Sequence, residues 1–214
     1  HTSNNGGKDF WARGDGWVLA GLAKVLKDLP ADYKHRQFFV DKYKRLAKAI
    51  AEIQQPEGYW TRSMMDPDHA PGPETSGTAF FTYGFLWGIN NGYLDEEIYF
   101  PVVEKSWAYL KNKALQKDGK VGYVQPIGER AIPGQVVDVN SQSNFGVGAF
   151  LLAACEYVRY LESRTPQAGN DRAYWVDLAY KMAAPVLSNM AEGKLQANMQ
   201  IEVSPSFDNR DKRV

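Results

Sequence analysis

Three apolar stretches punctuated by glycine restrict the fold of this chain more than any other feature. Gly16-Trp17-Val18-Leu19-Ala20-Gly21-Leu22 opens the first, Gly77-Thr78-Ala79-Phe80-Phe81-Thr82-Tyr83-Gly84 the second and Gly146-Val147-Gly148-Ala149-Phe150-Leu151-Leu152-Ala153 the third. They recur about every 60–70 residues, a spacing that marks a repeated supersecondary unit. Each is apolar on most sides, which predicts a helix buried all round. Behind each comes an amphipathic segment. Tyr33 to Gln55 aligns Phe39, Tyr43, Leu46, Ala47, Ile50 and Ile53 on one stripe, and Glu96 to Leu115 aligns Ile98, Val102, Val103, Trp107 and Leu110. Arg172 to Glu192 aligns Trp175, Leu178, Ala179, Met182, Val186 and Leu187, with Pro185 interrupting it. A helix with a single apolar stripe covers a core from outside, so the alternation predicts three hairpins, each an inner helix followed by an outer one. The loops repeat as well: Gln55-Pro56-Glu57-Gly58-Tyr59-Trp60 and Lys117-Asp118-Gly119-Lys120-Val121-Gly122-Tyr123-Val124 are turn signals leading into short extended segments.

The architecture that satisfies this pattern is all-α, an (α/α)6 toroid with inner helices around an axis and outer helices as a jacket. Six hairpins at this period require roughly 360 residues, so the 214 residues here supply about half a ring. The predicted divisions are a half-toroid over 1–164, a linker over 165–171, and over 172–214 either the last hairpin of the toroid or the start of a second domain. Half a ring exposes apolar faces, which predicts an N-terminal half lying before His1 or a homo-oligomer. Lys+Arg and Asp+Glu balance at 25 each, with no long charge run, so a nucleic-acid partner is not expected. No apolar run is long enough for a bilayer, and no membrane partner is expected. Cys155 alone cannot form an intrachain disulfide, and its apolar surroundings predict a packed small hydrophobe.

The densest chemistry lies in Phe10-Trp11-Ala12-Arg13-Gly14-Asp15-Gly16-Trp17, directly before the first predicted inner helix. Indole faces suit the C–H face of a sugar, and a guanidinium fork matches a carboxylate. At a helix N-terminus, where free N–H groups and the dipole favour anions, this combination predicts a site for an acidic sugar. The intervening glycines predict a loop with room for Arg13 to point into a cavity. Core packing for Trp11 and Trp17, and an ion pair with Asp15 for Arg13, are the competing readings.

Three motifs resemble glycoside hydrolase family 105 and the related family 88, the unsaturated rhamnogalacturonyl and glucuronyl hydrolases. Trp11-Ala12-Arg13-Gly14-Asp15-Gly16-Trp17 resembles the family's W-x-R-G-N-G-W, Glu74-Thr75-Ser76-Gly77-Thr78-Ala79 its E-T-S-G-[ST]-A, and Gly146-Val147-Gly148-Ala149-Phe150-Leu151-Leu152-Ala153 its closing G-V-G-A-F-L-L-A. The resemblance covers about residues 1–162 and implies the six-hairpin toroid, a bacterial setting (cytoplasmic or periplasmic) and an unsaturated uronic-acid oligosaccharide derived from pectin as substrate. It implies hydration of a C4–C5 double bond: an aspartic acid protonates C4, water adds at C5, and the hemiketal opens to release the next sugar. No cofactor is implied. The family's acid precedes the tryptophan–arginine motif and is expected before His1, so no catalytic residue is assigned within the chain. The implied substrate-binding residues are Trp11, Arg13, Asp15, Trp17, Glu74 and Ser76. Asp15 stands where the family usually has Asn, and Phe145 where many members carry a polar residue or His. Residues 172–214 resemble the opening of an uncharacterised family of bacterial sugar-degrading proteins.

Other features read more plainly. Asp66-Pro67-Asp68-His69 fits a polar turn better than a metal site, since one short loop supplies converging ligands poorly. Thr75 or Ser76 is the expected N-cap of the second inner helix, with Glu74 either a charge at that terminus or a sugar ligand. His35 is expected to be solvated. A non-catalytic sugar-binding or assembly module, and another toroid enzyme such as an epimerase or lyase, are the alternative functions.

Overall fold

A computed structural model describes residues 1–164. The glycines act here less as loop formers than as points of close helix approach. Helix α1 (Ala12–Asp28) and helix α3 (Thr75–Asn90) cross so tightly that a Cβ on Gly77 would lie 2.7 Å from the Ala12 carbonyl carbon, and one on Gly16 would lie 3.0 Å from Phe80. A Cβ on Gly84 would meet Leu19 at 2.6 Å. The contact advances along both helices in the same sense, from Ala12–Gly77 through Gly16–Phe80 to Leu19–Gly84, so α1 and α3 run parallel. Helix α5 (Asn144–Arg164) lies on the other side of α3. Phe145 stacks on Arg13 near the start of α1, and Glu156 bonds Asn90 at the end of α3, so α5 shares their direction.

Two amphipathic helices form the outer layer. Helix α2 (Arg36–Ala51) buries Val40, Tyr43, Ala47 and Ile50, and helix α4 (Glu96–Tyr109) buries Val103, Ser106, Trp107 and Tyr109 before a π-turn over Leu110–Ala114. Tyr43 donates from its hydroxyl to the Gly84 carbonyl at 2.6 Å, tying α2 to α3. Thr82 bonds the Ser106 hydroxyl at 2.8 Å, tying α3 to α4. The core between the layers holds Trp60, Phe81 and Phe85, all at zero exposure, with the Trp60 indole donating to the Ile50 carbonyl at 2.8 Å. Burying each such ring contributes about 1.5–3 kcal/mol.

Residues 1–164 therefore form an all-α arc of a toroid, with α1, α3 and α5 inside and α2 and α4 outside. Among the described residues two hairpins are complete. The expected outer partner of α5, Arg172–Glu192, lies outside the described residues, as do the linker over 165–171 and the rest of 172–214. Among the described residues the extended segments shrink to isolated antiparallel bridges, including Trp11–Ser63, Thr61–Pro73 and Leu115–Val121. No described helix is long and apolar enough to cross a membrane. Cys155 is exposed on α5 rather than packed, because it lies on a face of the helix that no described element covers. The parallel inner helices bring their N-termini to one end of the arc, and the long loops gather there.

Candidate functional site

The first motif is helical rather than a loop ahead of a helix. Trp11 is the N-cap of α1, so Arg13, Gly14, Asp15 and Gly16 occupy its first turns. The glycines that suggested freedom for Arg13 serve the crossing with α3, and helical geometry directs Arg13 inward, where it is 1% exposed. Its two terminal nitrogens donate to the carbonyls of Gln125 at 2.6 Å and Pro126 at 2.7 Å. The guanidinium packs over the rings of Trp11, 4.7 Å from its centroid, and Phe145, 4.4 Å from its centroid. Burial lowers the Arg13 pKa, opposed by the nearby Glu74 carboxylate. The fork reserved by the sequence for a sugar carboxylate is thus filled by backbone oxygens, and Arg13 forms no ion pair with Asp15.

Glu74, not Thr75 or Ser76, caps α3. Its carboxylate accepts from the backbone N–H of Ser76 (3.3 Å), Gly77 (2.7 Å) and Gln125 (3.1 Å) and from the Ser76 hydroxyl at 2.8 and 2.9 Å. Both residues are fully buried. A buried charge at a helix N-terminus with this many donors is satisfied within the chain.

Gln125 is the residue the sequence did not flag. It is fully buried and joins the parts of the site. Its carbonyl holds Arg13, its side-chain oxygen accepts the Trp11 indole N–H at 2.8 Å, and its amide nitrogen donates to the Arg130 carbonyl at 2.9 Å and the Gln135 side chain at 3.1 Å. A second buried arginine, Arg62, donates to the carbonyls of Gln135 (2.8 Å), Ile132 (3.4 Å) and Pro71 (2.9 Å). Arg13, Arg62 and Gln125 thus clamp the loop over 125–135. These partners lie 70 to 114 residues apart in sequence, apart from Pro71 and the contacts within the loop, so neither spacing nor periodicity could reveal them.

Trp17 and Asp15 remain available to a ligand. Trp17 is 50% exposed and meets Trp11 edge-on, with centroids 5.8 Å apart. The Asp15 carboxylate is half-buried and has no ion pair among the described residues; burial pushes its pKa up to about 6. No group of three or more His, Cys, Asp or Glu among the described residues is placed to hold a metal ion. Asp66 precedes a short 3-10 turn over Pro67–His69, and His35 is an exposed residue at the start of α2.

The model of Glycosyl Hydrolase Family 88 matches residues 1–161. An unsaturated 3S-rhamnoglycuronyl hydrolase of Formosa agariphila is 44% identical over 158 residues, covering 74% of this chain and 41% of that protein. A solved structure described as a glycosyl hydrolase family 88 protein from Bacteroides vulgatus is 68% identical, with a TM-score of 0.73, covering 75% of this chain and 46% of that one. Another, described as a polysaccharide lyase, is 75% identical with a TM-score of 0.73, covering 76% of this chain and 46% of that one. The chain spans less than half the length of each of these relatives.

Proposed function

The chain belongs to glycosyl hydrolase family 88, and from that premise we propose that the protein carrying it hydrates the C4–C5 double bond of an unsaturated uronic acid at the non-reducing end of an oligosaccharide and so releases the next sugar. The observation that carries this reading is that an exposed indole, Trp17, edge-on to Trp11, and an unpaired carboxylate, Asp15, both lie in the first turns of α1, at the end of the arc where three inner-helix N-termini gather. Trp17, with the accessible part of Trp11, offers apolar ring faces to the sugar. Asp15 exchanges a hydrogen bond with a hydroxyl, donating when protonated and accepting when ionised. The helix N-termini favour the uronate carboxylate. Arg13 adds its charge from beneath Trp11 while holding the loop, and Glu74 and Ser76 fix the start of α3. These are positioning roles. The acid that protonates C4 lies, on this reading, outside residues 1–214, and no aspartate within them is assigned that step. Pectin-type oligosaccharides, and oligosaccharides carrying the rhamnoglycuronyl unit in the name of the Formosa agariphila relative, are both candidate sources of the unsaturated uronide.

The test is product balance. Incubation of the intact protein with an unsaturated uronyl–rhamnose disaccharide should release rhamnose in equal amount to the double bonds lost. Release of rhamnose with the double bond retained would refute hydration. A polysaccharide lyase is the second reading, supported by the description of the 75% identical structure. A lyase would create such double bonds from saturated polymer.

A further inference from the structure

Gln125 is held on every polar atom it has. Its backbone N–H donates to Glu74 Oε1 at 3.1 Å, its carbonyl accepts from Arg13 at 2.6 Å, and its side-chain nitrogen donates to the Arg130 carbonyl at 2.9 Å and to Gln135 Oε1 at 3.1 Å. The remaining atom, Oε1, accepts the Trp11 indole N–H at 2.8 Å. An indole nitrogen only donates, so that bond settles the orientation of the amide, and both amide hydrogens are then spent on the loop. Resting on the functional reading above, we propose that Gln125 is a positioning residue for sugar binding: it fixes the plane of the Trp11 indole and, through it, the Trp17 face that receives the sugar.

The indole has two ends, and both are held. Trp11 precedes α1 with extended backbone, and the Ala12 N–H donates to the Arg62 carbonyl at 3.0 Å, so the main chain is fixed there and the side chain turns about its own bonds. At the six-membered end the ring lies against Gly14, where a Cβ would stand 2.9 Å from Trp11 Cε3. At the five-membered end Nε1 meets Gln125. Contact with Gly14 limits one direction of swing, and the bond to Gln125 closes the other.

Trp17 meets this ring edge-on, with centroids 5.8 Å apart and planes at 78°. Edge-on aromatic pairs are directional, so a rotated Trp11 no longer supports Trp17 in this orientation. Trp11 is half-buried, so an indole N–H that loses its acceptor turns towards water rather than stay unpaired. Gln125 is tied in turn to the cap of α3 through Glu74 and to the loop through Arg130 and Gln135. The stacking surface on α1 is thereby set by a residue 114 positions away, and a ring already in place binds sugar without the cost of ordering it.

Steady-state hydration of an unsaturated uronyl–rhamnose disaccharide by the intact protein, compared in Gln125→Met, Trp11→Phe and the double variant, tests the proposal. Met keeps the length of the side chain without a strong acceptor, and Phe keeps a ring without the N–H. Gln125→Met should raise KM about fivefold or more and change kcat less than about twofold, the pattern of lost binding rather than lost chemistry. In the Trp11→Phe background the same change should alter KM less than about twofold, because the bond it removes is already gone. An equal rise in both backgrounds would assign Gln125 to holding the loop alone and overturn the proposal, as would a fall in kcat with KM unchanged. Circular dichroism reads the geometry without turnover. The exciton couplet of the Trp11–Trp17 pair, identified by its loss in Trp17→Phe, should collapse in Gln125→Met, and its persistence would count against the proposal. Hydrogen exchange on the unaltered protein covers a variant that does not fold: the Trp11 indole N–H should exchange about tenfold or more slowly than that of exposed Trp17, and equal rates would overturn the proposal. Absence of hydration by the unaltered protein counts against the functional reading, while the couplet and the exchange rates still decide whether Gln125 holds the indole.

Discussion

Replacing Glu74 should destabilise the fold more than any single change in the neighbouring loops. Its carboxylate receives three backbone N–H groups and the Ser76 hydroxyl, all in fully buried surroundings. It also offsets the desolvation of two buried guanidiniums, Arg13 and Arg62, whose pKa values burial lowers and Glu74 raises. Loss of an N-cap costs about 0.5–2 kcal/mol, and removing one member of a buried charge group costs about 3–5 kcal/mol. These terms overlap, since the same carboxylate supplies both, so Glu74→Ala is expected to lose about 4 kcal/mol. For a body of this size each kcal/mol shifts Tm by about 2–4 °C, giving a fall of about 8–16 °C. Ser76→Ala removes one donor and leaves the charge, and should cost about 1 kcal/mol. Urea unfolding followed by tryptophan fluorescence measures both. A loss below about 1 kcal/mol for Glu74→Ala, or equal losses for the two variants, would refute the argument that this carboxylate neutralises the buried centre.

Asp15 gives a pH-dependent expectation. Its folded pKa, pushed up to about 6 by burial, exceeds its unfolded value of about 3.9, so the folded state binds the proton more tightly and stability falls as pH rises between these values. Asp15→Asn should therefore gain on the order of 1 kcal/mol at pH 7, the full shift being discounted for the group's partial exposure. It should also flatten a rise in KM for the anionic substrate above about pH 6. A stability difference between the two proteins that does not change from pH 4 to 7 would count against this. Trp17→Ala should raise KM about 3–10-fold with kcat little changed, the value of one aromatic contact; an unaltered KM would remove Trp17 from the site. Gly77→Ala should cost about 2–3 kcal/mol, because its Cβ would press on the backbone of Ala12, and a neutral result would contradict the close crossing of α1 and α3.

The spacing of the glycine-marked stretches and the single stripes over 33–55 and 96–115 made the inner and outer helices legible from sequence, since burial imposes its period on residue choice. The helix starts were less legible. Gly14 and Gly16 weaken a helix locally, yet the crossing with α3 needs that smallness, so α1 begins at Ala12 and carries Arg13 into the interior. The six residues singled out do gather at one end of the arc. Their roles divide by burial, which a motif does not encode. Arg13, Glu74 and Ser76 are enclosed, while Trp17 and Asp15 reach solvent. Gln125 and Arg62 escaped notice because only the fold brings the loop over 125–135 against the start of α1 and against Arg62.

The most direct measurement of the central claim is the direction of the ultraviolet absorbance change given by the intact protein on two substrates. Hydration of an unsaturated uronide destroys its conjugated double bond, so absorbance should fall on an unsaturated disaccharide and stay constant on the saturated polymer. A rise on the saturated polymer, with no fall on the disaccharide, would contradict the account and assign the fold to bond elimination instead.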